Sequence, residues 1–113
     1  MAAALEVLAS RQTPGRRIAV LGDMLELGDH AAEAHRELGV EAARAADAVF
    51  LYGNECKNAL EGAGGVARLF PSHEELAAAL SRYAMPGDLI LFKGSRGMRM
   101  EHALELFLEA AGK

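Results

Sequence analysis

Apolar positions along the chain fall into two alternating patterns. Four short, mostly apolar runs are too brief for helices and are bounded by turn residues, which is typical of strands buried in a sheet. They occupy residues 17–21, 48–52, 66–70 and 89–92. Longer segments around them carry apolar residues at helical spacing and predict five helices. These helices cover residues 2–10, about 30–46, 54–63, a segment that opens at Ser72, and about 98–111.

The regular alternation of helices and strands predicts the fold class. Helices placed between buried strands form right-handed crossovers, so the strands run parallel. We therefore expect a Rossmann-like three-layer α/β sandwich, with a mainly parallel sheet of about four strands and helices on both faces. Arg68 lies in the middle of the third run, so that strand is expected at an edge of the sheet.

Polar residues precede three of the predicted helices. The segment Ser72–Glu75 has the pattern of a capping box, in which the serine hydroxyl accepts a hydrogen bond from a backbone N–H of the first turn. Asp29 and Asn54 precede the second and third helices and belong to the residue types that cap helix N-termini. We expect each of these residues to cap the helix that follows it.

Length, composition and charge exclude several classes of protein. With 113 residues, 51% of them hydrophobic and 25% charged, residues 1–113 are expected to form one globular domain. A net charge of −4 argues against a nucleic-acid partner. No apolar run is long enough to cross a membrane, and the N-terminus lacks the pattern of a signal peptide. The single cysteine, Cys56, is compatible with a reducing compartment, so we expect a cytoplasmic location without a membrane partner.

Charged and polar groups follow the last predicted strand. The sequence Lys93-Gly94-Ser95-Arg96-Gly97 lies between that strand and the last helix. Glycines allow a tight turn, and a lysine, a hydroxyl and a guanidinium beside a helix N-terminus suit a carboxylate or a phosphate. The alternative is an ordinary strand-to-helix turn whose charges are solvated.

A second candidate loop follows the first strand. Asp23, after Gly22, has a side chain that can orient a cation, a lysine or a ribose hydroxyl, or can simply cap a turn. Beyond it, Met24, Leu25 and Leu27 either contact a partner or fold back onto the edge of the sheet.

Several other chemistries are disfavoured. Neither standard nucleotide phosphate loop is present. The four histidines are too dispersed to predict a metal site. Cys56 and Ser95 have no neighbouring histidine in the sequence, so neither is expected to be a nucleophile. No catalytic residue is therefore assigned.

Three segments in order resemble the C-terminal domain of the Mur ligase family. They are Ile-Ala-Val-Leu-Gly-Asp-Met-Leu-Glu-Leu-Gly at residues 18–28, His-Arg-Glu-Leu-Gly at 35–39, and Leu-Phe-Lys-Gly-Ser-Arg-Gly-Met-Arg-Met at 91–100. The first and third segments are specific in combination, and the resemblance covers essentially the whole chain. It is strongest to the family members that join D-alanyl-D-alanine to UDP-N-acetylmuramoyl-tripeptide in peptidoglycan synthesis.

The resemblance implies that the chain is one part of a three-domain enzyme. Such ligases use ATP and Mg²⁺, held mainly by a central domain, and proceed through an acyl phosphate on the tripeptide. The family's Asp-x-Tyr-Asn-Ala-Asn-Pro segment, which precedes the first helix, is missing here, so the resemblance implies truncation at the N-terminal edge. The third domain alone is expected to be inactive and to bind no cofactor, because the ATP phosphate loop belongs to the central domain.

The resemblance also implies roles for two groups of residues. Those expected on the dipeptide side are Lys93, Ser95 and Arg96. Those expected in a loop on the nucleotide side are Gly22, Asp23 and Met24. The implied partners are the N-terminal and central domains of the same polypeptide and the two substrates. A free-standing α/β module that binds an anion or a nucleotide, without ligase activity, is the alternative.

Overall fold

The fold is a three-layer α/β sandwich, as the sequence predicts. A computed structural model describes residues 2–25 and 27–111. The strands are β1 (Arg17–Gly22), β2 (Ala48–Tyr52), β3 (Ala67–Phe70) and β4 (Leu89–Lys93). The α-helices are α1 (Ala2–Ser10), α2 (Ala31–Ala45), α3 (Cys56–Ala63), α4 (His73–Tyr83) and α5 (Met100–Ala111). Short 3-10 turns lie at Gly28–His30, Gly64–Val66 and Arg96–Met98.

All strand pairs in the sheet are parallel, in the order β3-β2-β1-β4. The order reverses beside β1, because the chain moves outward through β2 and β3 and then returns to the other side of β1. Parallel sheets bind ligands at such reversals, beyond the carboxyl ends of the strands. The candidate loops after β1 and β4 therefore lie at the expected position.

Two apolar cores lie on opposite faces of the sheet. One core joins α1, α2 and α3 to the sheet through residues such as Leu8, Leu38 and Leu51. The other joins α4 and α5 to the opposite face through residues such as Ile18 and Leu80. This alternation follows from the pleat of each strand, which sends successive side chains to opposite faces. None of the helices in the described ranges is long and apolar enough to span a membrane.

The edges of the sheet differ in part from the prediction. β3 is an edge strand with Arg68 exposed, as predicted, although Val66 lies in a 3-10 turn rather than in the strand. β4 is the other edge strand, and residues 89–92 are only half-buried. Both faces of β4 are covered by helices, as the prediction of a strand buried in a sheet requires, but its apolar residues stay half-buried because no described strand covers its outer edge.

Helix capping confirms one prediction and corrects two. The Ser72 hydroxyl accepts a hydrogen bond from the Glu75 N–H at 3.1 Å, as the capping box predicts. Asp29 lies instead within the 3-10 turn before α2, and no side chain caps that helix. Asn54 does not cap α3, whose N-terminal N–H groups are bound by a residue from another loop.

Candidate functional site

The loops that follow β1 and β4 are joined directly at the carboxyl edge of the sheet. The two strands are neighbours, with Leu21 in register with Lys93. The Ser95 N–H donates to the Asp23 carbonyl oxygen at 3.0 Å, and the Leu25 N–H donates to the Ser95 hydroxyl oxygen at 2.7 Å. The structure thus brings the predicted acidic and basic loops to one edge and holds them by reciprocal hydrogen bonds.

Glycines at the ends of β1 and β4 permit this close approach. A Cβ atom on Gly22 would lie 2.7 Å from the Met100 sulfur, and one on Gly94 would lie 2.8 Å from Met100 Cγ. The first residue of α5 therefore packs directly on both glycines. Gly22, predicted in the nucleotide-side loop, lets the two strand ends approach α5 without a steric clash.

Asp23 is buried and caps α3 from the end of a different strand. Its Oδ2 accepts from the Glu55 N–H at 3.0 Å, and its Oδ1 accepts from the Cys56 N–H at 2.9 Å. Gly53, with φ of +123°, lies against the carboxylate, so that any Cβ there would overlap it. The predicted alternative for Asp23, a structural cap, is therefore realised, and the cap serves α3. These two backbone bonds and the bond with the Cys56 thiol leave part of the acceptor capacity of the carboxylate unused.

The first of two cavities at this edge adjoins Asp23. We call it the rim cavity; it has a volume of about 520 Å³. Its polar side chains are those of Asp23 and Asn54. Its apolar walls come from Leu25, Tyr52, Leu69, Phe70, Pro71 and Met98. Apolar walls beside a carboxylate suit a ring-bearing ligand with hydroxyl groups.

The second cavity adjoins the loop after β4. We call it the basic cavity; it has a volume of about 270 Å³. Lys93, Ser95, Arg96 and Glu101 line it beside apolar side chains. Among the described residues neither Lys93 nor Arg96 forms an ion pair, so both cations are free to meet an anion. This cavity suits a small ligand with a carboxylate.

The apolar side chains of the loop after β1 point in two different directions. Met24 packs against the core on the α1–α3 face, whereas Leu25 is 43% exposed and lines the rim cavity. One side chain therefore folds back, and its neighbour faces the cavity. Glu26, in the middle of this loop, lies outside the described residues.

Sequence reasoning missed two histidines that contact the loops. His35 on α2 is fully buried, and its Nε2 accepts from the Met24 N–H at 2.9 Å. His73 on α4 lies with its Nε2 2.8 Å from the Met98 carbonyl oxygen, and its ring packs on Tyr52. His35 could have been noticed as the one polar member of the apolar face of α2. His73 gave no such signal, because its acceptor lies 25 residues away.

Neither a reactive thiol nor a cluster of metal ligands is found among the described residues around the site. Burial raises the pKa of the Cys56 thiol, and hydrogen bonding to Asp23 raises it further, so the group stays a protonated small core residue. Within the described ranges no group of three or more His, Cys, Asp or Glu side chains could hold a metal ion.

Comparisons of the sequence with known proteins give one consistent family. A family model described as Mur ligase, glutamate ligase domain, matches residues 1–96. The chain is 37% identical to UDP-N-acetylmuramoyl-tripeptide–D-alanyl-D-alanine ligase of Bacillus subtilis, over 97% of this chain and 25% of the relative. It is 41% identical to the protein of that name from Synechocystis, over 87% of this chain and 22% of the relative. The chain thus spans about a quarter of the length of the curated relatives it matches.

Solved structures give the same result at the level of the fold. The chain resembles MurF ligase from Thermotoga maritima, solved in complex with ADP, with a TM-score of 0.84 and 31% identity. That similarity covers 96% of this chain and 25% of the other. It also resembles MurF from Acinetobacter baumannii, with a TM-score of 0.83 and 31% identity, over 95% of this chain and 25% of the other. The predicted Rossmann-like architecture is confirmed.

Proposed function

The chain belongs to the Mur ligase family, and from that premise we propose that residues 1–113 are the C-terminal, third domain of an ATP-dependent ligase, truncated at its N-terminal edge. The proposed enzyme joins D-alanyl-D-alanine to UDP-N-acetylmuramoyl-tripeptide in peptidoglycan precursor synthesis, in the cytoplasm. The names of the relatives and the quarter of their length that the chain spans support this assignment. The central and N-terminal domains of the same polypeptide would be the partners of this domain.

The observation that carries the proposal is the pair of cavities beside two hydrogen-bonded loops. The rim cavity combines apolar walls with the Asp23 carboxylate, whereas the basic cavity presents Lys93 and Arg96. The Ser95–Asp23 and Leu25–Ser95 hydrogen bonds fix the two loops relative to each other. A domain that closes over a nucleotide and a small zwitterion needs such a pair of coupled surfaces.

The rim cavity is the proposed nucleotide side. Leu25 and Tyr52 offer apolar surface to a base, and Asp23 can accept hydrogen bonds from ribose hydroxyls. Gly22 and Met24 flank Asp23 and set its position. In this proposal the Mg²⁺ and the phosphates of ATP would be held mainly by the central domain of the parent ligase.

The basic cavity is the proposed dipeptide side. Arg96 or Lys93 would pair with the carboxylate of D-alanyl-D-alanine, and Ser95 would donate its hydroxyl hydrogen, because its oxygen already accepts from the Leu25 N–H. In this reaction an oxygen of the tripeptide carboxylate would attack the γ-phosphorus of ATP, the bond to the β-phosphate would break, and an acyl phosphate and ADP would form. The amine of the dipeptide then attacks the acyl carbon, the amide bond forms, and inorganic phosphate and a proton leave. The residues of this chain orient and neutralise the substrates and make no bond themselves.

A phosphate-release assay tests the proposal. The full-length ligase that contains this domain is expected to release phosphate from ATP only when the UDP-tripeptide and D-alanyl-D-alanine are both present. The 113-residue chain alone is expected to release none. Failure of the full-length enzyme with D-alanyl-D-alanine would contradict the assigned reaction, and turnover by the isolated chain would contradict its inactivity.

Calorimetry separates this proposal from a free-standing binding module. The alternative has one observation in its favour, since residues of this chain line both cavities. A free-standing nucleotide-binding module would bind ATP tightly by itself. The ligase domain is expected to bind ATP weakly or not at all without the central domain. Tight binding by the isolated chain would favour the alternative.

A further inference from the structure

His35 lies behind the proposed nucleotide-side loop, Gly22 to Met24. It is not among the residues that line the rim cavity or the basic cavity. Its side chain is fully buried on the inner face of α2. The ring is nevertheless bonded at both nitrogens. Nε2 accepts from the Met24 N–H at 2.9 Å, and Nδ1 lies 2.6 Å from the Ala31 carbonyl oxygen.

These two contacts define the state of the imidazole. A backbone N–H can only donate, so Nε2 must be the unprotonated acceptor nitrogen. A carbonyl oxygen can only accept, so Nδ1 must carry the hydrogen. His35 is therefore held as the neutral Nδ1–H tautomer, a geometry that no aliphatic core residue of similar size can reproduce.

The bond to Met24 continues into the site through backbone contacts. Met24 follows Asp23, whose carbonyl oxygen accepts from the Ser95 N–H. Leu25 follows Met24, and its N–H donates to the Ser95 hydroxyl. One buried ring thus fixes the central residue of a loop segment that touches both the rim cavity and the loop of the basic cavity.

We propose that His35 is a positioning residue of the ligase: its neutral imidazole fixes the backbone of Met24 and thereby holds Asp23 and Ser95 in their binding geometry. The inference rests on the proposed function, because it assigns a purpose to the loop that His35 holds. His35 itself touches no substrate and moves no proton.

Two conservative variants separate the acceptor from the rest of the side chain. In His35→Gln the side-chain carbonyl can occupy the position of Nε2 and accept from Met24. In His35→Asn the amide can still donate toward Ala31, but the shorter side chain cannot reach Met24. Leu38→Ala is the control for general destabilisation, because Leu38 is buried on the same helix and has no bond to the loop.

Hydrogen exchange of the Met24 amide in this chain gives the first readout. We expect His35→Asn to speed that exchange about tenfold under native conditions, and His35→Gln and Leu38→Ala to leave it within about twofold of the wild type. Equal exchange in His35→Asn and the wild type would overturn the inference, whatever the function of the chain.

Steady-state kinetics of the full-length ligase give the second readout. His35→Asn is expected to raise the KM for ATP about tenfold, with partial rescue in His35→Gln and no such change in Leu38→Ala. Faster Met24 exchange with an unchanged KM for ATP would overturn the positioning role while the wild-type turnover still supports the ligase assignment. Absence of turnover in the wild type would instead refute the proposed function. It would also refute the positioning role, whatever the exchange rate of the Met24 amide in His35→Asn.

Discussion

At the scale of single residues, Asp23 connects the stability of the domain with its proposed function. Its carboxylate closes the N-terminus of α3 across a gap of more than 30 residues in sequence, as shown by its bonds to the N–H groups of Glu55 and Cys56. The same side chain lines the rim cavity. An acidic group at a helix N-terminus is stabilised both by the two donors and by the helix dipole. The Asp23 side chain is therefore held in a fixed orientation at the wall of the rim cavity.

The capping role predicts unequal effects of two substitutions. Asp23→Ala should lower the free energy of unfolding by about 1–2 kcal/mol, because the Glu55 and Cys56 N–H groups at the start of α3 lose their acceptor. Asn54→Ala should change it by less than about 0.5 kcal/mol, because Asn54 is exposed and does not cap the helix. Urea unfolding of the two variants measures both values. A larger loss for Asn54→Ala than for Asp23→Ala would contradict the observed capping.

Arg96 carries the corresponding prediction for the basic cavity. In the full-length ligase, Arg96→Ala should raise the KM for D-alanyl-D-alanine roughly ten- to a hundred-fold, because a charge-assisted hydrogen bond contributes about 1.5–3 kcal/mol. The KM for the UDP-tripeptide should change far less. Steady-state kinetics with each substrate varied in turn measure the two constants. Equal increases in both would remove Arg96 from the dipeptide side.

At the scale of elements, a polar cluster fixes the starts of β1 and β4. It lies at the amino-terminal ends of these strands, away from the candidate loops. Asp88 accepts from the backbone N–H groups of Arg16 and Met85, each at 2.9 Å, and pairs with the Arg16 guanidinium at 3.2 Å. That guanidinium lies 3.9 Å above the ring of Tyr83 at the end of α4. The cluster therefore sets the register of two neighbouring strands at the end away from the ligand cavities.

Asp88 makes part of the stability dependent on pH. The backbone N–H groups of Arg16 and Met85 hold the pKa of this carboxyl below its ordinary value of 3.8, and the Arg16 side chain adds to the effect. A lowered pKa in the folded state stabilises the fold above the ordinary pKa, and that contribution is lost as the pH falls through the folded value. Asp88→Asn should cost about 1–3 kcal/mol at neutral pH.

The pH dependence provides the test of this contribution. The difference in unfolding free energy between the wild type and Asp88→Asn should be constant from about pH 7 to about pH 5 and should shrink below the ordinary pKa. Urea unfolding across this range measures it. Asp29→Asn is the matched control, because Asp29 is exposed in a 3-10 turn, and its effect should stay small throughout. A difference for Asp88→Asn that grew toward low pH would contradict the assignment.

The elements were predictable from the sequence where local pattern decides them. Strand β2 at 48–52 and the Ser72 cap were predicted correctly, because apolar runs and capping boxes act within a few residues. The cap of α3 was not predictable, because Asp23 supplies it from the end of β1 and occupies the space that Gly53 leaves. The bond from the Met24 N–H to His35 was not predictable either, because it depends on how α2 packs beside the loop.

At the scale of the whole molecule, the sequence predicted the three layers and the parallel sheet, but not the order of the strands. The order β3-β2-β1-β4 leaves β4 at an edge, which explains why its apolar residues are only half-buried. Beside that edge, a groove of about 150 Å³ is lined by residues of α1 and β4, including Val7 and Leu91. Val7 in this groove is 51% exposed.

The handedness of crossovers determines where any strand ahead of α1 would lie in the proposed parent ligase. Helices α2 and α3 lie on the same face as α1 and lead the chain from β1 toward β3. A strand ahead of α1 must then lie on the far side of β1, and because β4 already adjoins β1, its place is beyond β4. Such a strand would pair with the outer edge of β4 and cover the groove that contains Val7.

A comparison of two surface valines tests this placement. Val7→Ser should cost less than about 0.5 kcal/mol in the 113-residue chain but about 1–2 kcal/mol in the full-length ligase, because the added strand would bury the side chain. Val66→Ser is the matched control, since Val66 is 42% exposed near the opposite edge strand β3 and should cost little in both proteins. Thermal unfolding of the four variants gives the values. An equally small cost for Val7→Ser in both proteins would contradict the placement of a strand of the proposed parent ligase beyond β4.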